Sequence, residues 1–201
     1  MTTDTEFRQM IARNNYVIVD TETTGLPPNR CEICEVAIID LTGLVLLNTR
    51  VKTIRPIPFD ATRIHGINDH DVAGCPTWAQ LVPAIKLMIA GKDVITYKAK
   101  FDRQMFHLSD DENRLGHIEW ETIATWHCAM LWYADIWREW DDRRHKWAWQ
   151  KLGNAMIQQG LTVSNAHSAL GDAEMTRQLI KAVIAKPHSF VTEGENIADS
   201  L

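Results

Sequence analysis

Long apolar runs are missing from this chain of 201 residues: the longest are cut at Asp40 or Gly43, well short of the roughly 20 residues of a membrane-spanning helix. The first fifteen residues carry Asp4, Glu6, Arg8 and Arg13 and contain no apolar stretch of signal-peptide length. A soluble, cytoplasmic protein without a membrane partner is the expectation. An excess of positive charge is missing too. The net charge of −5 and pI of about 5.9 exclude a protein that coats long duplexes through a basic surface, so any nucleic-acid contact must be local. Cysteine is scarce, with only Cys31, Cys34, Cys75 and Cys128. The Cys31-Glu-Ile-Cys34 pair lacks a second pair at short spacing, so it reads as structural rather than as half of a zinc site. No internal repeat or low-complexity tract is present.

What is there suits one compact domain: 45% of the residues are hydrophobic and 23% charged. Tyr16-Val-Ile-Val19 is a β-branched run ending at Asp20 and stopped by Gly25-Leu-Pro-Pro28, which reads as a first, central strand. Residues 33–41 and 44–54 form two further strands, joined tightly at Thr42-Gly43. Residues 59–70 read as irregular or short helical, and 77–90 as an amphipathic helix with Trp78, Leu81, Ala84, Ile85 and Met88 near helical spacing. A strand over 93–97 is followed by a helix over 101–108. Further helices are expected over 147–159 and 168–185. Three opening strands followed by alternating helix and strand predict a mixed α/β sheet with helices on its faces. The domain is expected over residues 1–185, with 186–201 as a mobile tail.

Asp20 and Glu22 lie two apart at the end of the first strand and therefore point to one face. A solvated strand end is the plain reading of an isolated Asp-Thr-Glu; a bound hard cation such as magnesium or manganese is the functional one. Asp102 sits just after a strand's carboxyl end, where open α/β sheets bind ligands, although an Asp there also serves as an ordinary helix N-terminal residue. His167 precedes Asp172 by five residues, roughly 140° apart on a continuous helix. The two share a site only if His167 lies in the preceding loop, and Ser168 is a suitable N-cap for that arrangement.

Taken together, Val19-Asp-Thr-Glu-Thr-Thr-Gly-Leu26, Phe101-Asp102 and His167-Ser-Ala-Leu-Gly-Asp172 closely resemble the three exonuclease motifs of the DnaQ-like DEDDh family. That family includes polymerase proofreading subunits, exonuclease X and oligoribonuclease. Arg63-Ile-His-Gly-Ile67 also resembles a segment that many members carry after the third strand. The resemblance spans about residues 16 to 185. It implies an RNase-H-like mixed five-stranded sheet flanked by helices, the second strand antiparallel to the rest. It also implies two-metal phosphodiester hydrolysis with Mg2+ or Mn2+, releasing nucleoside 5′-monophosphates. Asp20, Glu22 and Asp172 would hold the metals, with Asp102 completing the cluster through water and His167 as general base. Thr23, Thr24 and Leu26 match positions that hold the terminal nucleotide, with His65 alongside. The chain departs from the family at Tyr97-Lys-Ala-Lys-Phe-Asp102, where Lys98 replaces the usual asparagine. A lysine there either contacts a substrate phosphate or pairs with a motif carboxylate.

Seven of the eight tryptophans fall between Trp120 and Trp149. Trp126-His-Cys-Ala-Met130 fits a short strand entering a helix and resembles exonuclease X. Residues 136–149 interleave basic and aromatic residues, which suits stacking of a single strand, packing, or a partner surface. The function expected is a 3′→5′ exonuclease on DNA 3′ ends, single-stranded DNA preferred, freestanding or as a proofreading or DNA-repair accessory. RNA or short oligoribonucleotides are the rival substrates. A non-catalytic nucleic-acid-binding module and a phosphatase of small phosphoesters are the alternatives of other classes. Several family members dimerise, which leaves a homodimer or a polymerase or repair partner open.

Overall fold

A computed structural model describes residues 3–164 and 166–186. In chain order the elements are α1 (Asp4–Arg13), β1 (Tyr16–Thr23), β2 (Ile33–Asp40), β3 (Val45–Arg50), α2 (Phe59–His65), α3 (Asp69–Val72), α4 (Trp78–Ile89) and β4 (Asp93–Thr96). There follow α5 (Ala99–Glu112), α6 (Trp120–Ile123), β5 (Thr125–Cys128), α7 (Ala129–Trp137), β6 (Trp140–Asp141), β7 (Lys146–Trp147), α8 (Leu152–Gln158) and α9 (Ala169–Ile184). Among the described residues no helix is long and apolar enough to cross a membrane.

Five strands form one sheet in the order β3-β2-β1-β4-β5. β2 runs antiparallel to β1 and β3, while β4 and β5 run parallel to β1, so the expected mixed RNase-H-like sheet is present with β1 at its centre. The β2–β3 connection is held by one carboxylate: Asp40 Oδ1 accepts the backbone N–H groups of Thr42, Gly43 and Leu44 at 2.8, 3.1 and 2.9 Å. Gly43 takes φ +94°, a conformation that other residues adopt only with strain.

Side chains alternate across the sheet, and the two faces bury separate cores. Tyr16, Ile18, Ile39 and Ile95 face α1, α7, α8 and α9. Val17, Val19, Val36, Ile38 and Val94 face α4, α5 and α6, where Trp78, Phe106 and Trp120 pack edge to face. Two buried indoles in this second core need acceptors, and Asp110 provides both, taking Trp78 Nε1 and Trp120 Nε1 at 2.7 Å each.

Three expectations are corrected. A helix precedes β1 where none was read: Thr3 and Glu6 form a capping box that starts α1, and Phe7 stacks on Trp132 at 4.2 Å between centroids. The third strand stops at Arg50 rather than Ile54: Val51 N–H makes a last bond to Cys34 O of β2, and Lys52 N–H turns away to Pro76 O. Residues 147–151 are not helical. Trp147 pairs with Trp140 in a small hairpin, Lys151 is extended as the N-cap, and α8 begins only at Leu152. The expected tail lies, beyond Lys186, outside the described residues; Lys186 Nζ itself donates to Gln159 Oε1 at 2.6 Å. The four cysteines are free, and Cys34 is fully buried on β2 as expected.

Removing the shared acceptor of the second core leaves two buried N–H donors without partners. Asp110→Ala is therefore expected to cost about 2–4 kcal/mol and to lower the thermal midpoint by about 5–15 °C, read by calorimetry; a drop within error would show that the indoles find other acceptors.

Candidate active site

The alternation that builds the first core also builds the site. Tyr16, Ile18, Asp20 and Glu22 share one face of β1, so the apolar stripe that seats α9 turns into two carboxylates at the strand's carboxyl end. Directly across from Glu22, the antiparallel register brings Glu35 of β2, and across from Asp20 it brings the small Ala37. Glu35 Oε2 accepts the backbone N–H of Ala169 at 2.8 Å, tying the first turn of α9 to the sheet. That turn carries Asp172. Carboxylate oxygens of Asp20, Glu22 and Asp172 all lie within 4.8 Å of one another.

Asp102 arrives from the other side. It sits in the first turn of α5, whose Met105 and Phe106 are anchored in the second core. Thr21 points to that opposite face and donates its hydroxyl to Asp102 Oδ1 at 3.0 Å, so a neighbour of the two β1 carboxylates fixes the fourth. Asp102 is only 3% exposed.

His167 lies in the turn before α9 with φ +67°, and Ser168 caps the helix by accepting Gly171 N–H, as the spacing required. His167 N–H donates to Asp172 Oδ1 at 3.3 Å, while the side chain is open to solvent. The loop after β1 is held from below. Thr24 and Glu32 exchange two hydrogen bonds, Thr24 N–H to Glu32 O at 2.9 Å and Glu32 N–H to Thr24 Oγ1 at 3.0 Å. The buried Glu32 carboxylate takes the N–H groups of Ile54 and Arg55. On this base Leu26 projects into solvent, 66% exposed, and so does not cover the core edge. Thr23 donates its hydroxyl to Gly25 O. His65 lies half-buried beside Thr23, its Nδ1 accepting Ile67 N–H at 3.1 Å. Lys98 is exposed at the head of α5, its charge acting through space on Asp102 and Asp172.

The structure thus brings together Asp20, Glu22 and Asp172, with Asp102 on the other face of β1, the His167 backbone bonded to Asp172, and Thr23, Thr24 and Leu26 following Glu22 along the chain. Thr24 serves as a clasp of the loop rather than as a free polar group. Glu35 and Thr21 were missed. The signal for Glu35 was available only through the hairpin register, which sets it opposite Glu22.

Gathering like charges in partial burial raises their proton affinity. Burial, then the charges of Asp102, Asp172, Glu22 and Glu35, push the Asp20 carboxyl well above the ordinary range. Burial and the charges of Asp172, Glu35 and Asp102 raise Glu22 to about 8. Asp102 rises to about 6 through burial, offset by the hydroxyls of Thr96 and Thr21 and by Lys98. Burial raises Asp172, offset by the backbone and charge of His167 and by Lys98. An all-oxygen donor set whose negative charge is incompletely balanced fits a hard divalent cation. A carboxyl with a raised value binds a proton in the fold that it releases on unfolding. The stability it confers is full below about pH 4 and is lost as pH rises through about 8. In EDTA the thermal midpoint is therefore expected to fall between about pH 5 and pH 8, and Glu22→Gln to make that fall shallower by roughly 1–3 kcal/mol. Added Mg2+ or Mn2+ should raise the wild-type midpoint more at the higher pH. Equal slopes for wild type and variant would show that Glu22 does not carry the strain.

A family model described as an exonuclease, RNase_T, matches residues 17–180. An uncharacterized exonuclease, CP81 of Escherichia phage 186, is 35% identical over 176 residues, covering 85% of this chain and 88% of that protein. The DNA polymerase III subunit epsilon of Treponema pallidum is 26% identical over 173 residues, 85% of this chain and 76% of the relative. Among solved structures, exonuclease X bound to 5′-overhanging duplex DNA superposes with a TM-score of 0.62 at 24% identity, covering 84% of this chain and 90% of the other. The nuclease domain of 3′hExo, a DEDDh family member bound to rAMP, gives 0.67 at 16% identity, over 86% and 92%. Both share the fold. With the three motifs converging at one sheet edge and the family match spanning nearly the whole described chain, this protein belongs to the DnaQ-like DEDDh exonuclease family.

Proposed function

We propose that this chain removes nucleotides one at a time from DNA 3′ ends, single strands preferred, using divalent cations held by Asp20, Glu22 and Asp172 with Asp102 behind them. The observation that carries this reading is the convergence of three carboxylates within 4.8 Å in a chain of this family. When bound, a pair of Mg2+ or Mn2+ ions supplies Lewis acidity and offsets the charge of the reacting phosphate.

The chain's own residues supply the rest. Leu26, exposed on a loop that Glu32 makes rigid, offers an apolar wedge against the last base. Thr23 and His65 line the same edge. His167 stands in the turn beside Asp172, open to solvent, where its imidazole takes the proton of an attacking water. Lys98 adds a positive charge at the head of α5 that suits a substrate phosphate. The products on this reading are nucleoside 5′-monophosphates. Ribonucleotide ends are the second reading, favoured by the rAMP that the similar 3′hExo domain binds.

Digestion of 5′-labelled single-stranded DNA and RNA of one sequence tests both. Stepwise shortening from the 3′ end that requires Mg2+ or Mn2+ and stops in EDTA is the expected result, with Asp20→Asn reduced to background and His167→Ala slowed about 10²–10⁴-fold. The preferred polymer names the sugar. If wild type shortens neither polymer yet binds them, the chain is a nucleic-acid-binding module instead.

A further inference from the structure

Residues 137–151 carry chemistry that neither core nor the carboxylate site uses. β6 and β7 pair Trp140 with Trp147 and Asp141 with Lys146 around the turn at 142–145. Ala148 N–H closes the hairpin's foot on Glu139 O at 2.7 Å. Two of the segment's acids serve its own framework. Glu139 accepts Trp137 Nε1 and Gln150 Nε2, and Asp141 accepts the N–H groups of Arg143 and Arg144. The cations Arg143, Arg144 and Lys146 remain exposed, as does Asp142, and Arg144 lies 3.7 Å from the Asp141 carboxylate.

Trp137, Trp140 and Trp149 are 40%, 52% and 46% exposed and lie outside all three apolar cores. Lys146 Nζ sits 3.9 Å from the Trp149 ring centroid and Arg144 Cζ 5.6 Å from it. Trp137 stacks on Tyr133 and Trp140 packs edge to face on Trp147, yet about half of each indole is left facing solvent. Indoles set among cations, on a protein of net charge −5, match a partner that has both flat rings and phosphates. The hairpin's foot is also tied to the site, because Tyr97 donates its hydroxyl to Gln150 O at 2.7 Å and Tyr97 immediately precedes Lys98.

We propose that the β6–β7 hairpin is a second contact for the substrate, holding the single strand that leads to the carboxylate edge. Its bases stack on Trp140 and Trp149, and its phosphates lie against Arg143, Arg144 and Lys146. This rests on the exonuclease reading and adds where the polymer, as distinct from its terminal nucleotide, is gripped.

The test compares KM for DNA strands of about four and about sixteen nucleotides, the span of a compact single-strand site. Wild type is expected to favour the longer strand at least about tenfold, and both Trp140→Ala/Trp149→Ala and Arg143→Ser/Lys146→Ser to lose most of that gain. The serine pair should also flatten the salt dependence of binding, by a slope of about 1.4 for two cations. Retention of the full length advantage by both folded variants, checked by far-ultraviolet circular dichroism, overturns the proposal. So does a change from dimer to monomer on sedimentation, which would assign the rings to a second copy. Should wild type hydrolyse neither length, the exonuclease reading fails by itself. Anisotropy of the longer strand then decides the hairpin separately: weaker binding by both variants supports it and unchanged binding removes it.

Discussion

Repulsion among carboxylates is the constraint around which the rest is arranged. Asp20, Glu22 and Asp172 stand within 4.8 Å, with Asp102 and Glu35 close enough to add their fields. Left to themselves, such groups would spread apart or take up protons, and the raised values of all four motif carboxyls record that tendency. They stay together because each is fixed by structure that does not depend on the others. β1 is flanked by strands on both sides, so Asp20 and Glu22 inherit their direction from the pleat that seats Ile18 in the core. Asp172 rides on a sixteen-residue helix whose Leu179, Ile180 and Val183 are buried against the same face. Asp102 is placed by a helix anchored on the opposite face and locked by Thr21.

Glu35 shows how the scaffold uses one negative charge to position another. Its carboxylate accepts a main-chain N–H at the start of α9, where the helix presents unsatisfied donors and the positive end of its dipole. The helix thereby meets the sheet at the level of Glu22, which brings Asp172 into range. His167 follows from the same local geometry. A left-handed residue just before the Ser168 cap turns the chain back, so that the His167 backbone N–H, five positions from Asp172, meets its carboxylate. The Leu26 loop has its own fixture. Arg30 and Arg55 both pair with Glu112 at the end of α5, joining the loop, the segment after β3 and the helix of Asp102. The Leu26 loop and the carboxylates are thus referred to one frame.

Much of this could be read from the residues, and the reasons differ by element. Asp20 and Glu22 were legible because strand alternation is a local rule, and His167 with Asp172 because a serine cap divides loop from helix at a known place. Local rules also should have revealed α1, since Thr3-Asp-Thr-Glu6 is a capping box; an acidic, mixed opening segment hid it. Glu35 was illegible for a different reason. Its significance lies in a partner across the hairpin, and register is a tertiary quantity. Residues 147–151 misled because Ala148 and Trp149 extend the helical spacing of Leu152, Ala155 and Met156, and only the pairing of Trp147 with Trp140 shows that the segment begins as a strand. The two indoles on Asp110 were equally hidden, since nothing local joins Trp78 to Trp120.

An acidic protein that works on a polyanion faces a contradiction that the charge distribution resolves. The chain carries a net −5, and its carboxylates are most concentrated where the scissile phosphate must come. Divalent cations offset that charge only inside the cluster, so they do nothing for the remainder of a long strand. Attraction for the strand must therefore come from side chains placed beyond the cluster, and it must be local, because a generally basic surface would bind duplex without regard to its ends. On the proposed reading Lys98 would meet this need at the site's border. On the same reading Trp140, Trp149 and the cations of the hairpin turn would meet it farther out, on a foot bonded to the residue before Lys98. Stacking suits this position better than added charge would, since every base has a face, while a paired duplex keeps its faces hidden. On the proposed reading the exposed rings would favour an unpaired strand, and the acidic body would disfavour indiscriminate binding of the double helix.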